Sequence, residues 1–136
     1  MIITEDDLYL GDYLASDGSN TKNIKTRCDR GHGINTNIMI ILKEVCLGQY
    51  HFMVAMLLRE ALLFSSLLLS AETWFNVTKR EIDQLQLVDK SLMKQILSAP
   101  AKSSICSLYL ETGTYSIEYV LIMKRIMFLH YILNRV

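Results

Sequence analysis

Hydrophobic and polar positions change rhythm once along this chain. Residues Ile2–Ala15 mix apolar, aromatic and acidic positions in the short-period manner of one strand or two, ending on the turn signal Ser16-Asp17-Gly18. After that the period is helical. From about Asn20, the positions Ile24, Gly31, Ile34, Ile38, Leu42 and Val45 fall on one side of a helix, with Gly48 as a C-terminal stop. Gly31 on that stripe costs helix stability but lets a neighbouring backbone come close.

A second helix, about Tyr50–Ser70, is apolar nearly all round, which predicts that it is enclosed. The third has the clearest start: Thr78 and Glu81 have the spacing of a capping box, with Val77 and Ile82 placed as its hydrophobic staple. Its stripe runs Ile82, Leu85, Leu92, Met93, Ile96, and it ends before Pro100. A short helix over Ser103–Leu110 closes at Gly113, a left-handed cap. A last one, Ser116–Asn134, is apolar on most sides and interrupted by Lys124-Arg125. The predicted class is mainly α: a short N-terminal strand or hairpin (1–19) followed by about five packed helices (20–136) in one compact unit, with no repeat and no Pro- or Gly-rich linker.

At 136 residues the chain can bury one real core. An apolar share of 51% and a mean hydropathy of +0.22 are high for a small soluble domain. Either one helix is fully enclosed or some apolar surface expects a partner. The longest central apolar stretch, Ala61–Ala71, lies between Arg59-Glu60 and Glu72 and falls short of the roughly 20 residues that cross a bilayer. With no basic, apolar leader, the expectation is an intracellular protein without a membrane segment. Three scattered cysteines, Cys28, Cys46 and Cys106, suit reduced thiols.

Lys and Arg balance Asp and Glu at 14 each. Their distribution is uneven. Residues 1–21 carry Glu5, Asp6, Asp7, Asp12 and Asp17 with no cation, whereas Lys22, Lys25, Arg27 and Arg30 then follow against Asp29 alone. A local basic patch can meet phosphate even on a neutral chain. At roughly 100° per residue Lys22 and Lys25 share a face, while Arg27 turns toward the apolar stripe. Lys79, Arg80, Lys90 and Lys94 travel with Glu81, Asp83 and Asp89 and read as a solvated face.

Catalytic chemistry has little support. Asp6-Asp7 lacks a third carboxylate for a metal pair and reads as a solvated acidic end. Cys28 and His32 lie four apart, yet Cys46, His51, Cys106 and His130 show none of the paired spacings of zinc modules. No motif orients a cysteine as nucleophile, and Gly31-His32-Gly33 lacks the third glycine and preceding strand of a dinucleotide loop. Trp74, Phe75 and Tyr109 read as core rather than as stacking platforms. Two lone charges stand out, Arg59 in the apolar second helix and Asp89 within the third helix's stripe. They are expected to form a buried ion pair, the alternative being Arg59 with Glu72.

One ordered series of segments carries a family resemblance: Tyr9-Leu10-Gly11-Asp12-Tyr13-Leu14, then Glu44-Val45-Cys46-Leu47-Gly48, Leu57-Leu58-Arg59, Glu72-Thr73-Trp74, Leu108-Tyr109-Leu110-Glu111-Thr112-Gly113 and Phe128-Leu129-His130-Tyr131-Ile132-Leu133-Asn134. It resembles the C-terminal part of a LINE-type, non-LTR retrotransposon reverse transcriptase. The resemblance implies a primer-grip hairpin at Tyr9–Leu14 and a helical thumb, which together clasp a template–primer duplex. Tyr9, Leu10, Gly11, Lys22, Lys25, Arg27 and Arg30 are then the nucleic-acid-binding candidates. The family's aromatic-x-Asp-Asp hairpin is missing, so RNA-directed DNA polymerase activity and its magnesium would belong to a palm domain that this chain lacks. Ser116 stands where a proline is expected before the last helix. The partners implied are an RNA–DNA or DNA duplex and the absent palm. The alternative is a non-catalytic helical remnant or interaction module that self-associates through exposed apolar helix faces.

Overall fold

The computed structural model describes residues 6–9, 12–15, 20–45, 48–74 and 77–135. The chain is mainly helical, with five helical stretches if 51–67 is counted as one. At the N-terminus β1 (Asp6–Tyr9) and β2 (Asp12–Ala15) pair antiparallel, with Asp6 opposite Ala15 and Tyr9 opposite Asp12. The predicted turn at Ser16-Asp17-Gly18 lies outside the described residues.

The helix α1 (Thr21–Glu44) buries Ile24, Gly31, Ile38 and Leu42, the predicted stripe, while Ile34 is half-buried and Val45 is exposed beyond the end. It ends before Gly48, which instead opens a 3-10 turn, Gly48–Tyr50, at a φ of 55°. Gly31 does allow close approach, but of side chains and not of backbone. A Cβ there would sit 2.8 Å from Val88 Cγ1 and 3.0 Å from Leu67 Cδ2.

The second stretch is α2 (His51–Leu58), a π-helical segment over Arg59–Phe64, and α3 (Ser65–Leu67). Its buried residues Ala55, Arg59, Leu63 and Leu67 are spaced by four. In an α-helix such a spacing drifts by about 40° per step and would soon leave the core face. The wider π turn absorbs that drift. The expectation that this helix is enclosed is corrected: Phe52, Met53, Leu57, Leu62 and Leu69 are all exposed. Five helices supply a neighbour for only one of its sides, and an all-apolar pattern does not say which. The stretch Gly48–Leu67 is also longer than the apolar run read from the sequence. Among the described residues it is one helix long and apolar enough to cross a membrane, with 22% of its window buried.

The helix α4 (Lys79–Leu97) starts where predicted but makes half of the capping box: the Thr78 hydroxyl accepts from the Glu81 N–H at 3.3 Å, while the Glu81 carboxylate turns to Thr21. Val77 and Ile82 both pack on the core. It ends at Ser98 in the left-handed region (φ 51°), two residues ahead of Pro100. In α5 (Ile105–Thr112), Ser104 caps the start and Gly113 the end at a φ of 64°, the cap that the sequence predicted. In α6 (Ile117–Arg135), the Ser116 hydroxyl accepts from the Tyr119 N–H at 3.2 Å, a start that needs no proline.

The core lies where α1, the 51–67 stretch and α4 meet, closed at one side by Ile117 and Leu121 of α6. Helices α1 and α4 run side by side in the same direction. Thr21 Oγ1 donates to Glu81 Oε1 at 3.5 Å near their starts, Asn35 Nδ2 donates to the Val88 carbonyl at 3.0 Å midway, and Lys43 and Ser98 line one groove near their ends.

Candidate nucleic-acid interface

The shared direction of α1 and α4 brings two helix N-termini together. Each carries a partial positive charge from its unsatisfied N–H groups. The first turn of α1 holds no acidic residue of its own, but Glu81, which accepts from Thr21 Oγ1, offsets part of its charge. On α4, Glu81 does the same. Lys22, Lys25 and Arg30 are exposed around the N-terminal half of α1, and Lys79 and Arg80 are exposed at the start of α4. Lys79 is held by Glu118 at 3.2 Å and Asp83 at 3.8 Å, both exposed contacts. Asp29 is the exposed acid within the α1 group.

Arg27 leaves the candidate set. It is 3% exposed, its Nη1 donates to the Ser66 carbonyl at 2.9 Å and its Nε to Asn23 Oδ1 at 3.3 Å. Its guanidinium lies 5.1 Å from the centre of the buried Trp74 ring. The helical period that turns Arg27 toward the apolar stripe therefore carries it into the core, where it ties α1 to α3. Asn23 and Asn35, also 3% exposed, belong to the same inward face, which the apolar pattern alone does not reveal. Tyr9 closes β1, opposite Asp12, while Leu10 and Gly11 lie outside the described residues.

Beside the basic end runs a groove of about 400 Å³ between α1 and α4, lined by Thr21, Lys25, Cys28, Asp29, His32, Gln84 and Leu87. Cys28 and His32 do share this face, as their spacing predicts. Desolvation and then the Asp29 charge push the Cys28 thiol up to about 11, so it stays protonated at neutral pH and is a poor nucleophile or ligand. Among the described residues no three His, Cys, Asp or Glu side chains converge as a metal site would need. In the strand ladder Asp6 is paired with Ala15 and Asp7 with Leu14.

The two lone charges do meet. Arg59 forms a fork on Asp89, Nε to Oδ1 and Nη2 to Oδ2, each at 2.6 Å, with both side chains at 1% exposure or less. The Tyr109 hydroxyl donates to Asp89 Oδ2 at 3.0 Å, a third member that sequence reasoning placed only as core. Phe64 packs its ring under the guanidinium at 4.3 Å. Burial, and then the Asp89 charge, push the Tyr109 phenol well above its ordinary range, so it remains a donor. Phe75 lies outside the described residues, and Trp74 is core.

Lys124 and Arg125, which interrupt the apolar pattern of α6, reach back into the fold. Lys124 Nζ donates to the Leu68 carbonyl at 3.3 Å, and Arg125 Nη2 to the Trp74 carbonyl at 2.6 Å. Both tie α6 to the chain that follows the 51–67 helix, at a Leu68 carbonyl that also accepts from the Ala71 N–H at 3.1 Å and at the Trp74 carbonyl just after the 3-10 turn Ala71–Thr73. Comparison with protein families, with curated proteins and with solved structures finds no match.

Proposed function

We propose that this chain is a nucleic-acid-binding, thumb-like fragment of a LINE-type RNA-directed DNA polymerase, not an enzyme on its own, whose catalytic palm and magnesium would lie elsewhere. The observation that carries it is the basic end: exposed Lys22, Lys25 and Arg30 on α1, whose N-terminus adjoins that of α4. Such an end suits the phosphates of an RNA–DNA or DNA duplex without reading bases. The N-terminal segment that carries Tyr9, Leu10 and Gly11 is the part that would correspond to a primer grip. Arg59, whose charge is neutralised by Asp89 in the core, favours a packed helix over a membrane span for 48–67, in keeping with an intracellular protein.

Binding to a short labelled RNA–DNA hybrid tests the proposal. Three phosphate contacts predict an affinity that falls roughly 40-fold between 50 and 200 mM salt. Replacing Lys22, Lys25 and Arg30 together by Ala is expected to weaken binding at low salt and flatten most of that dependence. Salt-independent binding, or no binding by a folded chain at low salt, would end it. Arg27→Ala is the contrast: it should lower stability and leave the salt slope per folded molecule unchanged.

A further inference from the structure

We infer that α6 is a docking surface for a second copy of this chain, which pairs with it antiparallel. Of its 19 residues only Ile117 and Leu121 are buried. On the outward side Tyr115, Tyr119, Ile122, Ile126, Leu129 and Leu133 alternate at intervals of four and three, the a/d spacing of a helix seam that packs against another helix. Their exposures run from 45% to 66%. Tyr115 lies just before the helix but stacks on Tyr119 at 4.6 Å between ring centres, so the seam begins there.

Three observations select a second copy as the occupant. The first is area. At roughly 150–250 Å² for a large side chain, the six leave on the order of 600 Å² of apolar surface per chain. With Met123 exposed at the seam's flank, this approaches the ~800 Å² per partner of a standard interface. Monomers rarely expose a contiguous apolar patch so large. The second is charge. Lys124 and Arg125 are turned away onto the Leu68 and Trp74 carbonyls, which leaves the seam itself uncharged and acceptable to an identical surface. The third is shape. The seam is aromatic at one end and leucine at the other, so antiparallel pairing sets Tyr119 against Leu129, Tyr115 against Leu133 and Ile122 against Ile126. Bulky rings then face branched aliphatics along its whole length.

Sedimentation analysis of the full chain over a range of concentration tests this. Dimer formation at micromolar concentration that higher salt does not weaken is expected. Ile126→Lys, at a 54% exposed position, should leave the helical signal intact and weaken association at least tenfold. Leu87→Lys, on exposed α4 surface, should leave association unchanged. A chain that stays monomeric at high micromolar concentration, or a dimer indifferent to Ile126→Lys, overturns the inference. Orientation is read by mixing Ile122→Cys and Ile126→Cys chains in a Cys106→Ser background. Antiparallel pairing yields mixed 122–126 disulfides, and predominant 122–122 and 126–126 products overturn it. The Lys22, Lys25, Arg30 triple variant should still dimerise, which separates this surface from the basic end.

Discussion

Asp89→Ala should cost about 3–5 kcal/mol of folding stability, because it strands the Arg59 guanidinium in the core without a counter-charge. Arg59→Ala should cost a similar amount for the mirror reason. Replacing both at once, Arg59→Met with Asp89→Leu, is expected to be less damaging than either single change, since a well-packed apolar pair of similar volume needs no desolvated charge. Tyr109→Phe removes one donor and leaves the fork intact, so about 1.5–3 kcal/mol is expected. Denaturant unfolding of the four variants measures all of this. Additive losses in the double variant would show that the two side chains act independently. Tyr109 also sets an alkaline limit. Its folded pKa lies above its unfolded one, near 10, so the unfolded chain ionises first. Stability is therefore kept below about pH 10 and lost as pH rises beyond it.

Trp74→Ala is expected to cost about 3–5 kcal/mol, the usual range for emptying a buried aromatic site. Trp74 is 4% exposed, and Arg27 lies over its ring. Truncation would leave a cavity and also strip one wall from the buried Arg27. Trp74→Phe keeps much of that packing. It sacrifices no indole hydrogen bond either, since Trp74 Nε1 has no partner among the described residues. Thermal unfolding should rank wild type, Trp74→Phe and Trp74→Ala in that order. A Trp74→Ala chain as stable as wild type would mean that the site collapses without strain.

Local signals were legible in the sequence and distant ones were not. The Thr78 cap and the Gly113 cap depend on residues within a few positions, and each is where the pattern put it. Arg59 and Asp89 were legible for a different reason. Each is a lone charge in an apolar surround, and a buried charge needs an opposite one. Which side of an all-apolar helix is covered is not written in its own residues. The 51–67 helix and α6 therefore both show more apolar surface than their patterns suggested. In the basic cluster, helical phase separated Arg27 from Lys22 and Lys25, but its partner, the Ser66 carbonyl, comes from a residue 39 positions away. Still longer separations, 53 and 56 positions, hide Asn35 on the Val88 carbonyl and Lys124 on the Leu68 carbonyl.

The π segment at Arg59–Phe64 holds one residue more than an α-helix of equal rise would need. Ala61 and Leu62 sit on its outer side, away from the core. Removing either would close the wide turn into ordinary α geometry. The inward residues Ala55, Arg59, Leu63 and Leu67 would then fall at steps of four, three and four, which an α-helix keeps on one face. The chain can thus be shortened by a single residue here without rotating anything downstream out of the core. A deletion anywhere in the regular part of α4 would instead swing every later side chain by about 100°.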